Sequence, residues 1–189
     1  MTALRTDAEH ASPATTPPRW ATVGRAWWAV AAYLVTLGAL QVVTAWVSTF
    51  AGATKLDLRW GYAYDDVIGL LGDYGADGRV AYGIHLAIDT AYPVALGLAT
   101  ILLAALAFGR RRWLWVAPLV FMVLDVLENS LIGVMVATYP GVPEALVAIA
   151  SPVTFVKLAS FFPTMAVLIV SAVVIVVRWA RRRAARPPG

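Results

Sequence analysis

Residues 113–138 read WLWVAPLVFMVLDVLENSLIGVMVAT, and only Asp125 and Glu128 among them are charged. A helix needs ~20 mostly apolar residues to cross a ~30 Å hydrocarbon core, so this stretch is long enough to span. Three arginines, Arg110 to Arg112, precede it, and Tyr139, Pro140, Gly141 and Pro143 close it. Beyond the arginines lies a second apolar run, 80–108; beyond the prolines, a run at 152–177; and near the start, a run at 26–50. None alternates with period two, which excludes strands of a membrane β-barrel. The expected fold is an all-α integral membrane protein, a four-transmembrane-helix bundle over residues 25–178. A disordered cytoplasmic tail (1–24) precedes it and a basic cytoplasmic tail (179–189) follows.

Composition agrees. The chain is 60% hydrophobic and 14% charged, with a mean hydropathy of +0.73. Soluble domains are about half apolar and a quarter charged, so this chain lacks the polar surface to coat a globule in water. It has no cysteine, which excludes disulfides, thiolate metal sites and cysteine nucleophiles.

Two segments depart from plain spans. The long first loop, 51–79, interleaves Val67, Ile68, Leu70 and Leu71 with Asp65, Asp66 and Asp73, as a short interfacial helix over 64–74 would. From Glu144 to Val177 a single helix would be ~51 Å long. Ser151-Pro152 offers an N-cap and a first-turn proline, so a second short helix, Glu144 to Ala150, is expected before the fourth span. The first span exceeds the 7–15 apolar residues of a signal-peptide core. Although Ala51-Gly52-Ala53 would serve for cleavage, retention is expected.

Orientation follows from the basic residues. Eleven of fifteen flank the spans on one side: Arg5, Arg19, Arg25, Arg110, Arg111, Arg112, Arg178, Arg181, Arg182, Arg183 and Arg186. The positive-inside rule makes that side cytoplasmic and places both termini there. The net charge of +4 is thus a topological signal and no sign of nucleic-acid binding. The expected location is the cell membrane, multi-pass.

Four ionisable residues interrupt the apolar runs: Asp89, Asp125, Glu128 and Lys157. Each costs ~2.5–3.5 kcal/mol at a helix centre, which makes a functional site the default reading. Counted from the arginines at ~1.5 Å per residue, Asp125 lies ~20 Å up and Glu128 and Asn129 ~24–26 Å. Asp89 and Lys157 both lie ~32 Å up, so these two are expected to pair, or else to snorkel to water. Gln41 lies level with Glu128. Asp125, Glu128 and Asn129 share one helical face, and Tyr82, His85, Asp89 and Tyr92 form a similar stripe. Pro93 withholds the N–H that the Asp89 carbonyl would otherwise receive. Three carboxylates against one ammonium leave two negative charges in a low-dielectric place, to be neutralised by protons or a bound cation. The bland alternative is that these side chains only hold helices together.

No cofactor or metal is expected. His85 reads as an interfacial residue, and no zinc motif, Gly-x-Ser-x-Gly elbow or Gly-Lys-Ser/Thr phosphate loop occurs. The expected partners are the lipid bilayer, a small amphiphilic ligand, and a second copy or another membrane subunit. The favoured function is a binding or transport module with an outward-opening acidic pocket for a small amphiphile, cation or proton. The alternatives are a membrane-embedded enzyme on a lipid-like substrate, with Asp125 and Glu128 as acid and base, and a structural subunit of a complex. A reporter fused after Gly189 should be cytoplasmic and one inserted in loop 51–79 extracytoplasmic; an extracytoplasmic C-terminal fusion reverses the topology.

Overall fold

The computed structural model describes residues 16–51 and 55–185. Among the described residues there is no strand. The helices are α1 (Val23–Val47), α2 (Tyr64–Asp73), α3 (Gly75–Asp89), α4 (Ala91–Phe108), α5 (Val116–Thr138) and α6 (Glu144–Ala184). Two short 3₁₀ turns, Leu56–Leu58 and Arg112–Trp115, complete the regular structure. With α3 and α4 taken as one rod, four helical stretches among the described residues are long and apolar enough to cross a membrane: Val23–Val47, Gly75–Phe108, Arg112–Thr138 and Glu144–Ala184.

Each boundary has a local cause. Thr22 caps α1, its Oγ1 accepting from the Arg25 N–H at 3.3 Å. Most of the tail expected over 1–24 lies outside the described residues, but its end is held: Trp20 packs edge-on against Trp115 at 5.4 Å. The helix expected at 64–74 forms as α2, with the Asp66 carboxylate accepting from the Ala63 N–H at 2.8 Å. Gly75, at φ 63°, turns the chain from α2 into α3, a conformation glycine adopts without a Cβ clash. The second span therefore starts at Gly75 and not at Val80. Asp77 sits in the first turn of α3, where a carboxylate complements the helix dipole. The rod is interrupted at Thr90, three residues before Pro93. There the Thr90 Oγ1 donates to the Leu86 carbonyl at 2.8 Å. Gly109, at φ 73°, ends α4 ahead of the arginines.

The fourth span is a correction. There is no separate helix before it and no break at Ser151-Pro152. α6 is continuous over 41 residues, with Pro152 and Pro163 inside it, and so extends ~61 Å. The Ser151 hydroxyl does not cap a helix; it accepts from the backbone N–H of Tyr62 at 3.0 Å. Its other end also departs from expectation, because the helix runs on to Ala184 and carries Arg178 and Arg181 to Arg183. Arg178 ties it to α4 by donating to the Ala107 carbonyl at 2.5 Å.

α5 packs along α6; α4 packs on α1, α5 and α6; and α3 lies between α1 and α5. The apolar core gathers at the end of the bundle that carries loop 48–63. There Leu56, Val67, Leu70 and Leu71 pack with Tyr82, Leu86, Ile132, Met135 and Val147. Elsewhere the helices leave large apolar side chains outward, including Trp27, Trp28, Val35, Val42, Phe162 and Val176. α4 and α5 approach closely where a Cβ on Gly97 would collide with the Met122 side chain. Gly97→Leu should therefore lower the stability of the purified protein by about 1–3 kcal/mol through overpacking. Adding Met122→Ala should restore part of it in the same thermal melt.

Candidate functional site

The site forms where α1, α3, α5 and α6 meet under residues 55–63. These residues do not lie flat on the bundle. Leu56 is buried in the core, and the 3₁₀ turn that carries it lowers Lys55 and Asp57 with it. Trp60 stacks on Phe162 and meets Phe155 edge-on, at 6.1 and 5.7 Å. The Tyr62 hydroxyl meets the Thr154 Oγ1 at 3.2 Å. Burial pushes the Tyr62 phenol up to about 12, so it stays neutral and free to share that hydrogen bond.

Seven buried ionisable side chains converge there: Lys55, Asp57, His85, Asp89, Asp125, Glu128 and Lys157. The Lys157 ammonium contacts Glu128 Oε2 at 2.6 Å and Asp125 Oδ1 at 3.4 Å, and donates to the Asp57 backbone carbonyl at 2.8 Å. The Lys55 ammonium lies 2.7 Å from His85 Nε2, 3.3 Å from Thr44 Oγ1 and 3.5 Å from Asp57 Oδ2. The Tyr82 hydroxyl donates to Asp57 Oδ1 at 3.0 Å. Asn129 Nδ2 bridges two acids, donating to Asp89 Oδ2 at 3.0 Å and Asp125 Oδ2 at 3.2 Å.

Burial by itself would raise the Asp57 carboxyl. The adjoining His85 imidazole, 3.7 Å from Oδ2, and the charges of Lys55 and Lys157 outweigh it and hold Asp57 well below the usual carboxylate range. A carboxyl lowered by folding stabilises the fold above its unfolded value of about 3.9, and that contribution fades as the pH falls below it.

A cavity of about 290 Å³ opens within this cluster, and Gln41, Lys55, Asp57, His85, Asp89, Tyr92, Asp125 and Lys157 are among its lining residues. Leu37, Leu40, Phe121, Leu158 and Phe161 supply apolar wall. Glu128, Asn129 and Tyr82 belong to the cluster but do not line the cavity. Glu128 contacts Lys157 and Tyr82 contacts Asp57, both of which do line it.

Several expectations need correction. Lys157 does not pair with Asp89; it reaches Asp125 and Glu128 on the helix it packs against. Neither Asp89 nor Lys157 snorkels, since they are 7% and 4% exposed. His85 is no interfacial residue; it is wholly buried, stacked near Tyr82 at 6.0 Å. No linear metal motif brings Asp57, His85 and Asp89 together, yet each offers a potential ligand atom within 4.8 Å of the others. Lys55 and Asp57 escaped sequence reading altogether, since a loop between spans is ordinarily solvated. One signal was present: the chain has thirteen arginines and only two lysines, Lys55 and Lys157, and both lie here.

Compared with protein-family models, with curated proteins and with solved structures, the chain finds no match.

Removing one partner of a buried ion pair leaves an uncompensated charge and costs about 3–5 kcal/mol. Lys157→Met should therefore destabilise the protein by about that much, and Lys157→Met with Glu128→Gln should recover a measurable part in the same unfolding assay. Equal losses in the single and double variants would show that Lys157 acts through packing, not through its charge.

Proposed function

We propose that the chain is a multi-pass membrane protein of four spans with cytoplasmic termini. In this reading it is a binding or transport module whose cavity takes a small cation, or the cationic head of an amphiphile, from the extracytoplasmic side. Its apolar exterior supports the membrane part. Only 6% of the most apolar window of α1 is buried within the protein, a surface that water would not tolerate and lipid would. Among the described residues Arg19, Arg25, Arg110 to Arg112, Arg178 and Arg181 to Arg183 flank the helix ends away from residues 55–63, the asymmetry that the positive-inside rule requires, whereas only Arg59 and Arg79 lie at the other end.

The observation that carries the ligand is charge. Four buried carboxylates, Asp57, Asp89, Asp125 and Glu128, cluster with two ammonium groups, Lys55 and Lys157, and all but Glu128 line one cavity. Their formal sum, four negatives against two positives, is two negative. In a low-dielectric site such an excess draws in protons or a cation.

The enzyme reading fares less well. An acid and a base must both reach the reacting atoms, and of the acidic pair on α5 only Asp125 lines the cavity. A structural subunit would show its charges to a partner, whereas these ion pairs close on themselves.

A ligand at about a hundred times its Kd raises stability by about 2.7 kcal/mol, well within reach of a thermal melt of the detergent-purified protein. Tetraethylammonium, choline and manganese(II) serve as probes, with an uncharged alcohol as control. At least one cation should give a saturable rise that Asp89→Asn and Asp125→Asn weaken tenfold or more. If no cation stabilises the wild type, the cation-binding reading is wrong.

A further inference from the structure

Resting on that cation-binding reading, we infer that Asp57, His85 and Asp89 form a site for one divalent first-row transition metal ion. The three residues come from the loop turn and from successive turns of α3, and all are buried. One imidazole nitrogen and two carboxylate oxygens, mutually within 4.8 Å, make a mixed donor set. Imidazole suits zinc, iron and nickel, and carboxylate suits manganese and magnesium; ions such as manganese(II), iron(II) and zinc accept both. Bonds near 2.0–2.2 Å place such ligand atoms roughly 3–3.5 Å apart. Each side chain therefore has to close in by about an ångström, well within rotamer adjustment. Because the three residues also line the cavity, a bound ion would keep coordination positions open to water or a ligand there.

A second observation points to the ion. His85 is wholly buried and its Nδ1 has no hydrogen-bond partner, an arrangement native interiors rarely tolerate. Its Nε2 meets only the Lys55 ammonium at 2.7 Å and Asp57 Oδ2 at 3.7 Å. When Nε2 accepts from Lys55, the ring's single proton is left on the orphaned Nδ1. Lys55 is itself held loosely, with its other contacts at 3.3 and 3.5 Å. A metal ion on the orphaned Nδ1, shared with both aspartates, would place the ring proton on Nε2 and so turn the Lys55 ammonium away to Thr44 and the cavity. The charge closes as well: a divalent ion neutralises the two negatives left by four carboxylates and two ammonium groups. Lys55 and the metal ion are then rival occupants, and that rivalry sets the sign of the test.

The protein, carrying His10→Gln so that His85 is the one histidine, is stripped with chelator. It is then dialysed against manganese(II) or zinc, and metal is counted per chain. One ion per chain should bind. Asp57→Asn and His85→Gln should each weaken binding tenfold or more. Lys55→Met should strengthen it about tenfold or more, because it removes a like charge a few ångströms away. The manganese electron-spin-echo spectrum of the otherwise unaltered chain should show coupling to one imidazole nitrogen, a readout that survives even if a site variant fails to fold. Absence of stoichiometric binding, or binding with no nitrogen coupling and no response to the His85 and Lys55 variants, overturns the metal site. If tetraethylammonium still stabilises the protein in that case, the cavity reading stands without the metal; if no cation does, both fall.

Discussion

The ammonium of Lys157 is shared by the carboxylates of Asp125 and Glu128 and by the backbone carbonyl of Asp57. The ammonium donates to the loop carbonyl at 2.8 Å and meets the two α5 carboxylates as ion pairs at 2.6 and 3.4 Å. Remove it, and two acids on α5 repel each other in a dry interior while the loop loses one of its ties to α6. The contact lies beside Asp57, which is seated against Tyr82 and His85, and beside the wall that Lys157 gives the cavity. Strong attraction in a medium of low dielectric ties elements that are 100 residues apart in sequence.

The course of α6 follows from the same constraint. A helix broken at Ser151-Pro152 would leave Ser151, Thr154 and Lys157 on two bodies with independent orientations. In the continuous helix these three residues, three apart, share one face. They receive in turn the Tyr62 N–H, the Tyr62 hydroxyl and the Asp57 carbonyl. Proline at 152 costs one backbone bond to residue 148. The three loop contacts supply a tertiary reason for the helix to run straight through it, and propensity rules do not contain that reason.

What the sequence discloses and what it hides divide along this line. The apolar runs of α1, the α3–α4 rod, α5 and α6 are legible, because length and hydropathy are local properties. So is the acidic face of α5, where the spacing of Asp125, Glu128 and Asn129 alone places them together. The partner of Lys157 is not legible. Counting residues up each helix treats the helices as parallel and equal and ignores the reach of a long side chain, whereas Lys157 meets Asp125 and Glu128 directly. Nor is the loop legible. Lys55 and Asp57 read as solvated, and only tertiary packing of Leu56 draws them under the surface.

The distribution of basic residue types supplies a further step. Thirteen arginines and two lysines is a lopsided usage, and the two types are not interchangeable. Arginine's planar fork is always charged and spreads five donors over a wide arc, which suits helix ends such as Arg178 on the Ala107 carbonyl. Lysine is a compact point charge on a flexible stem, with three donors converging on one atom. Lys157 uses them on three oxygens, and Lys55 on an imidazole nitrogen, a hydroxyl and a carboxylate. A guanidinium in either place would have to find more acceptors than these walls provide and would fill part of a cavity of about 290 Å³. The lysines are thus confined to the positions where a small, concentrated positive charge balances clustered acids and still leaves the cavity beside them open.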